Sequence, residues 1–274
     1  MNGALWGKAI RDGRLLLAAC VAVMFVFQWV FVWITSMIKL PAMAAFLFEL
    51  PEGFQNMFGM PIREVATVAG RLSLAYIDPV VLFVSAAWGI TRGSDAVSGE
   101  IGRGTMEMLL AQPVRRVSIL FTHAVVTTAG AAVLAFSAWL GTVVGMATNE
   151  LEQSVDRSLF FPAALNLFAL TFFVAAISTL ASSWDRDRWR TIGLVGGIYM
   201  LALIFKVIAR ATPRFDWLMY FTFLGAYQPQ VLVTDPEHAW RLSASYNGIL
   251  LGLGLLAYAA AAVIFSRRDL PAPL

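Results

Sequence analysis

Apolar and polar residues alternate along this chain in long blocks, not at the short spacing of a soluble helix or strand. Six apolar runs are long enough to cross a bilayer, whose hydrocarbon core needs about 20 helical residues. They cover about 15–38, 72–91, 117–146, 160–183, 191–208 and 246–265. The pattern predicts an all-α membrane protein with six transmembrane helices, in which residues 1–274 form a single transmembrane domain.

Three of the segments between the runs are too long to be simple turns: 39–71, 92–116 and 209–245. In 39–71, two Pro-bounded apolar pieces predict short helices that lie at the membrane interface. In 209–245, Trp217, Tyr220 and neighbouring aromatic residues indicate a partly helical segment at the bilayer boundary, where aromatic belts are common. We expect these two segments on the outer side and 92–116 on the inner side.

The distribution of basic residues predicts the orientation. If the N-terminus is inside, the inner segments hold twelve of the twenty Lys and Arg residues: Lys8, Arg11, Arg14, Arg92, Arg103, Arg115, Arg116, Arg186, Arg188, Arg190, Arg267 and Arg268. Cytoplasmic segments of membrane proteins are enriched in Lys and Arg. The chain is therefore predicted to be a multi-pass protein of the plasma (inner) membrane with both termini in the cytoplasm.

The composition agrees with a membrane protein, since 59% of the residues are hydrophobic and only 14% are charged. The net charge of +3 comes largely from the ends of apolar runs, so no nucleic-acid partner is expected. Cys20 is the only cysteine, which excludes an intrachain disulfide. Lys206, near the outer end of the fifth run, is expected to extend its ammonium group to the membrane surface.

The sequence lacks the motifs of a membrane enzyme. His123 and His238 are predicted on opposite sides of the bilayer, and neither belongs to an H-E-x-x-H pattern. A phosphate-binding P-loop needs Gly-Lys-Ser/Thr, whereas Gly7-Lys8 is followed by Ala9. No catalytic, metal or cofactor site is predicted in this chain. If ATP drives the protein, another chain supplies the ATP site.

A few polar residues within or beside the apolar runs are candidates for a translocation path. They are Gln28, Asp78, Thr127, Thr128, Asn166 and Thr171. Each is explained at least as well by a hydrogen bond between helices. Asp78 precedes Pro79, which is the usual pair at a helix start. Capping of a helix that begins at Pro79 is slightly favoured over a kinked span in which Asp78 faces the path.

The charged loop 92–116 is predicted to be helical in two pieces. Gly99, Gly102 and Gly104 disfavour one continuous helix, because glycine costs about 1 kcal/mol relative to alanine. The first piece extends the second membrane helix to about Glu100. The second begins with Thr105 as a candidate N-cap.

This second piece is expected to be a short amphipathic helix on the cytoplasmic surface. Glu107 falls in its first turn, where the helix dipole favours an acidic side chain, and Pro113 ends it. Met106, Leu109 and Leu110 share one face at helical spacing. That face is expected to fill a groove or to pack against the protein beneath it.

The same loop carries the motif A-x-S-G-E-x-x-x-G-T-M-E-x-L-L-A-Q-P-V-R-R from Ala96 to Arg116. The motif resembles the signature of ABC-2 type transporter permeases, the membrane-spanning subunits of ABC exporters. Further similarity lies in AYQPQVLV before the last run and in the terminal FSRRDLPAPL. His123 departs from the family pattern, in which many members have Lys soon after the Arg.

The resemblance implies a coupling helix that docks on a separate ATPase. Two permease copies, most simply a homodimer, would pair with each other in the lipid bilayer. Two ABC ATP-binding subunits, which bind ATP and Mg, would dock on their coupling helices. The loop residues that are predicted to serve ATPase coupling are Glu100, Arg103, Gly104, Thr105, Met106, Glu107, Leu109, Leu110, Pro113 and Arg116. Among them, Glu100 and Arg103 are expected to make polar contacts.

Two functions are compatible with such a loop. The first is an ATP-driven permease, and more specifically an exporter, whose dimer forms the translocation path. The second is an ATPase-coupled membrane anchor or mechanotransducer that passes force to an outer partner without translocating a substrate. They differ in whether the polar residues of the spans form a continuous path. The sequence does not choose a substrate.

Overall fold

The computed structural model describes residues 3–38, 48–111 and 115–268, with the backbone alone for Glu52 and Leu110. Six helical stretches of these residues are long and apolar enough to cross a membrane. The membrane helices and the loop helix are labelled α1 (Gly3–Met37), α2 (Pro79–Ser94), α3 (Thr105–Leu110), α4 (Arg116–Thr148), α5 (Phe161–Trp184), α6 (Arg188–Ala211) and α7 (Ala239–Arg267). The predicted all-α fold with six membrane helices is confirmed.

Two of the membrane helices begin well before the apolar runs that predict them. α1 begins at Gly3 instead of about residue 15, and α7 begins at Ala239 instead of about residue 246. A helix can continue beyond the hydrocarbon core as long as its backbone hydrogen bonds are made, so hydropathy does not mark its end. The extension of α1 has a consequence for the site, because it contains Lys8 and Asp12.

α5 is the most buried of the six membrane helices and packs against α2, α4, α6 and α7. It lies very close to α2. A Cβ atom on Gly89 would lie 2.9 Å from the Val174 side chain, and one on Gly93 would lie 2.6 Å from the Ala175 carbonyl oxygen. Such contacts are too short for a real side chain, so these glycines let the backbones approach closely.

The extension predicted for the second membrane helix is present, with a local change of winding. After Ser94 the chain forms a π-helical turn over Asp95–Gly99 and one further α-turn over Glu100–Gly102. The hydroxyl of Ser182 on α5 accepts hydrogen bonds from the Val97 and Ser98 amides and donates one to the Ser94 carbonyl. The wider turn is therefore fixed to α5 by one buried side chain.

The opposite end of the bundle carries the short helices expected from its apolar pieces. The described ones are Glu52–Met57, Ile62–Val65, Val68–Leu74 and Pro229–Thr234, with 3₁₀ helices at Ala75–Ile77, Arg157–Phe160, Pro213–Phe221 and Phe223–Ala226. Residues 39–47, part of the first predicted piece, lie outside the described residues. Asp78 accepts a hydrogen bond from the Val80 amide at 2.9 Å, which confirms that it caps α2.

We expect Gly93→Ala to destabilise the protein, because the new methyl group would overlap Ser178 and the Ala175 carbonyl. Overpacking of this kind costs about 1–3 kcal/mol. The measurement is the thermal unfolding midpoint in detergent. Gly197→Ala on α6 is the matched control, since no neighbouring helix of the described residues lies within 4 Å of its Cβ position. An equal response of the two variants would contradict the close α2–α5 contact.

Candidate functional site

The described residues of the loop, 92–111 and 115–116, and both described chain ends lie at one end of the bundle, called here the loop end. The Arg116 guanidinium at the start of α4 donates a hydrogen bond to the carbonyl of Arg268, just after α7. Arg268 in turn donates to the carbonyls of Ser183 and Asp185, at 2.9 and 3.0 Å. These bonds connect the ends of α4, α5 and α7 below the loop.

Glu100 is the centre of the polar contacts in the loop, although its side chain is only 4% exposed. Its carboxylate accepts a hydrogen bond from Lys8 of α1, one from Arg103 at 3.0 Å and one from the Thr105 hydroxyl. A buried carboxylate is costly unless it is paired and hydrogen-bonded. Both of its oxygens are used inside this chain, which links α1, the end of the α2 extension and the first residue of α3.

A second buried carboxylate, Asp95, continues the same network. It accepts a hydrogen bond from Arg103 at 2.6 Å and forms ion pairs with Arg92 at 3.5 Å and with Arg188 of α6 at 3.6 Å. Arg92 also donates to the Ala9 carbonyl of α1 at 2.9 Å. Partial burial alone would lower the pKa of Arg103, but the hydrogen bond and charge of Asp95 outweigh this and raise it. We call Lys8, Arg92, Asp95, Glu100, Arg103 and Arg188 the charge cluster.

The turn before α3 differs from the predicted capping. Gly104 has φ +69° and occupies the N-cap position, where a left-handed backbone suits glycine. The Thr105 hydroxyl donates to Glu100 instead of accepting from an α3 amide, so the N-cap role predicted for Thr105 is wrong. The charged carboxylate is the stronger hydrogen-bond partner for this hydroxyl. Glu107 lies in the first turn, as predicted.

α3 is held to the bundle by one face and exposes the other. Met106 is 2% exposed and packs with Ala96, Val97, Leu120 and Phe265. Leu109 is half-buried and lines a small cavity beside the charge cluster. Glu107 and Met108 point outward, with Met108 64% exposed.

Two of the predicted loop residues cannot be placed fully. The side chain of Leu110 and all of Pro113 lie outside the described residues. α3 ends at Leu110 and is followed by Ala111, and the described chain resumes at Arg115, just before α4.

The candidate path residues make hydrogen bonds inside the subunit. Gln28 is fully buried where α1 meets α4, and its side-chain oxygen accepts from Thr142 at 3.2 Å. Asn166 donates to the Ala226 carbonyl at 3.0 Å and to Asn247 at 2.9 Å. The side-chain oxygen of Asn166 also accepts a hydrogen bond from the Gln228 amide at 2.9 Å. Both ends of this side chain are therefore hydrogen-bonded within the subunit.

Two of the other candidates also make hydrogen bonds inside the subunit, whereas the buried Thr127 hydroxyl has no partner among the described residues. Thr171 donates to the Leu167 carbonyl one turn earlier on α5, and Asp78 caps α2. Thr127 is buried and Thr128 is half-buried on α4. The structure does not bring these residues together around an open passage within the described part of one chain.

Several residues of the site are not singled out by sequence reasoning. Lys8 reaches Glu100 across 92 positions of the chain, and Ser182 reaches Ser98 across 84. In the sequence, these residues are distinguished only by being polar and by lying near a chain end or a short inner loop, on the side of the membrane predicted for the motif. No group of three metal-binding side chains occurs among the described residues.

The comparisons with known proteins agree with the fold and the loop motif. Residues 6–270 match the sequence model of the family described as ABC-2 family transporter protein. No curated protein matches the chain. Members of this family are membrane permeases of ABC transporters, normally without an ATPase site of their own, and they pair with an ATP-binding subunit. The match covers nearly the whole chain, which therefore belongs to the ABC-2 transporter family as a multi-pass membrane permease.

Proposed function

We propose that this protein is the permease subunit of an ATP-driven exporter, and that α3 is the coupling helix on which a separate ATPase docks. The observation that carries the proposal is the arrangement of α3. It is fixed from below by Met106 and by the Thr105–Glu100 hydrogen bond, while Glu107 and Met108 face outward. An exposed methionine beside a carboxylate suits a partner surface that is partly apolar and partly basic.

The charge cluster supplies the route by which movement of α3 reaches the membrane helices. Glu100 is paired with Lys8 of α1, and Asp95 is paired with Arg188 of α6. Ser182 fixes the π-helical turn to α5. A displacement of α3 is therefore shared by helices on several sides of the bundle, as in rigid-body switching. Two ATP-binding subunits, which bind ATP and Mg, would close against two such coupling helices.

The assembly is a dimer of permeases with the loop end in the cytoplasm. The inner position of the loop rests on the Lys and Arg distribution. A second copy can approach α7 closely, because none of the other helices described lies within 4 Å of a Cβ on Gly248 or Gly252. Glu100 and Arg103 then serve the assembly mainly by fixing the loop, since their described polar contacts lie inside the chain.

A second function is favoured by the burial of the polar residues in the spans. Gln28, Asn166 and Thr171 form hydrogen bonds within the subunit, as a mechanotransducer without a substrate path would allow. The coupling helix would be used in the same way in both cases. Substrate-stimulated ATP hydrolysis by the complete assembly in a lipid membrane favours the exporter, and its absence across a broad set of substrates favours the mechanotransducer.

We expect Met108→Glu to weaken binding of the ATP-binding subunit by about tenfold or more, because a charge replaces an exposed apolar contact on α3. Met57→Glu is the control, since Met57 is also exposed and ends a short helix at the opposite end. The measurement is the amount of ATPase that co-purifies with each variant in mild detergent. Equal recovery with both variants would contradict docking on α3.

The orientation can be tested with single cysteines in a Cys20→Ala background. Arg186 lies in the exposed turn between α5 and α6 at the loop end, and Glu237 is exposed before α7 at the opposite end. In intact cells, a membrane-impermeant maleimide should label Glu237→Cys and leave Arg186→Cys unlabelled until the membrane is permeabilised. The reverse labelling pattern would place the loop outside the cytoplasm and would rule out an ATPase partner there.

A further inference from the structure

A cavity of about 390 Å³ lies at the end of the bundle opposite the loop end. It is bounded by the turn that follows the Glu52–Met57 helix, by the end of α6 and by the 3₁₀ helix Pro213–Phe221. Its wall includes the charged residues Arg210 and Asp216 as well as the apolar Met60 and Met219. A volume of this size is typical of small-molecule sites.

Arg210 is held in this wall in a fixed position. One guanidinium nitrogen donates to the Gln228 side chain at 2.8 Å. The group lies flat against Gly59, whose φ is +66° and whose Cβ, if present, would be 2.5 Å from the Arg210 Cζ atom. The buried Nε atom has no hydrogen-bond partner among the described residues. Gly59 thus makes room for the Arg210 guanidinium, which is fixed in position although not all of its N–H groups have hydrogen-bond partners.

The positive charge at this end of α6 is not balanced by an ion pair. Lys206, one turn before Arg210, is 6% exposed, so the prediction that it reaches the membrane surface is wrong. It donates to the Tyr227 carbonyl at 2.6 Å and lies 5.1 Å from the centre of the Tyr227 ring. Neither cation is in an ion pair with a carboxylate of the described residues. Lys206 is buried and Arg210 is half-buried, and unpaired cations that are shielded from water favour an anionic ligand.

The carboxylate of Asp216 limits which anionic ligands this cavity can bind. Its side chain is exposed and lines the same cavity as Arg210, yet the two do not form an ion pair. A simple anion would be attracted by Arg210 and repelled by Asp216. A ligand with a phosphate and an ammonium group can satisfy both, because a phosphate accepts from a guanidinium and an ammonium donates to a carboxylate.

The surroundings of the cavity match a lipid and not a water-soluble ligand. Ile204, Val207 and Ile208 on the final turns of α6, the helix whose end bounds the cavity, are between 39% and 48% exposed and form an apolar surface on that helix. Trp217 and Tyr220 on the adjoining 3₁₀ helix are 53% and 90% exposed. Exposed Trp and Tyr at the end of a membrane helix mark the headgroup level of the bilayer. Acyl chains could follow α6 while the headgroup enters the cavity.

We infer that this cavity binds the zwitterionic headgroup of an amine-bearing phospholipid, with the phosphate at Arg210 and the ammonium at Asp216. The site belongs to the leaflet opposite the loop end, and it does not depend on ATPase docking at α3. A bound lipid would join the end of α6 to the turn at Gly59 and to the Pro213–Phe221 helix. It would replace the missing counter-charge of Arg210 with a lipid phosphate.

Native mass spectrometry of the full chain in detergent tests the site. The protein is titrated with a phosphatidylethanolamine and a phosphatidylglycerol of equal chain length, and separately with inorganic phosphate. Wild type should bind the ethanolamine lipid more tightly than the glycerol lipid. Arg210→Gln should weaken binding of both by about tenfold or more, because a hydrogen bond from a charged group is lost.

Asp216→Asn should remove the preference between the two lipids and retain the glycerol lipid, and this exposed position keeps the test valid if Arg210→Gln fails to fold. Arg214→Gln, an exposed arginine of the same 3₁₀ helix, is the control and should bind like wild type. The inference is overturned if Asp216→Asn keeps the preference, if Arg210→Gln binds both lipids normally, or if inorganic phosphate binds as tightly as either lipid.

Discussion

The buried carboxylate of Glu100 is the contact on which the arrangement of the loop end depends. It receives hydrogen bonds from Lys8, Arg103 and Thr105, which belong to α1, the bend and α3. A carboxylate at this depth is stable only if its partners stay in place. The early start of α1, which supplies Lys8, and the position of α3, which supplies Thr105, therefore both follow from the need to pair the Glu100 carboxylate. Asp95 extends the same requirement to α6 through Arg188.

This arrangement connects a small helix to the membrane bundle. α3 has only six residues, too few to be stable alone, so its structure is supplied by the contacts of Met106 and Thr105. A helix held in this way cannot tilt without disturbing its anchors. The π-helical turn and the close α2–α5 contact at Gly93 bring the most buried helix into the same unit. Membership of the family implies an ATP-binding partner subunit, and the described contacts connect α3 to the membrane helices.

Local rules of sequence predict much of this fold, and contacts distant in sequence account for most of what they miss. The six spans follow from apolar run length, and the Asp78 cap follows from Asp-Pro at a helix start. The partners of Glu100 could not be predicted, because Lys8 lies 92 positions away and no periodic pattern connects them. The N-cap prediction for Thr105 failed because a carboxylate brought in by the fold competes for its hydroxyl. Lys206 was expected at the surface, but the segment carrying Tyr227 folds over it.

A double-mutant cycle on Lys8 and Glu100 tests the central claim most directly. Thermal or denaturant unfolding in detergent is measured for wild type, Lys8→Gln, Glu100→Gln and the double variant. If the pair fixes the loop to α1, the double variant loses less stability than the sum of the single losses, with a coupling of at least about 0.5 kcal/mol. Strictly additive losses would contradict the account, because they would mean that the two side chains act independently and that α1 is not connected to the loop through Glu100.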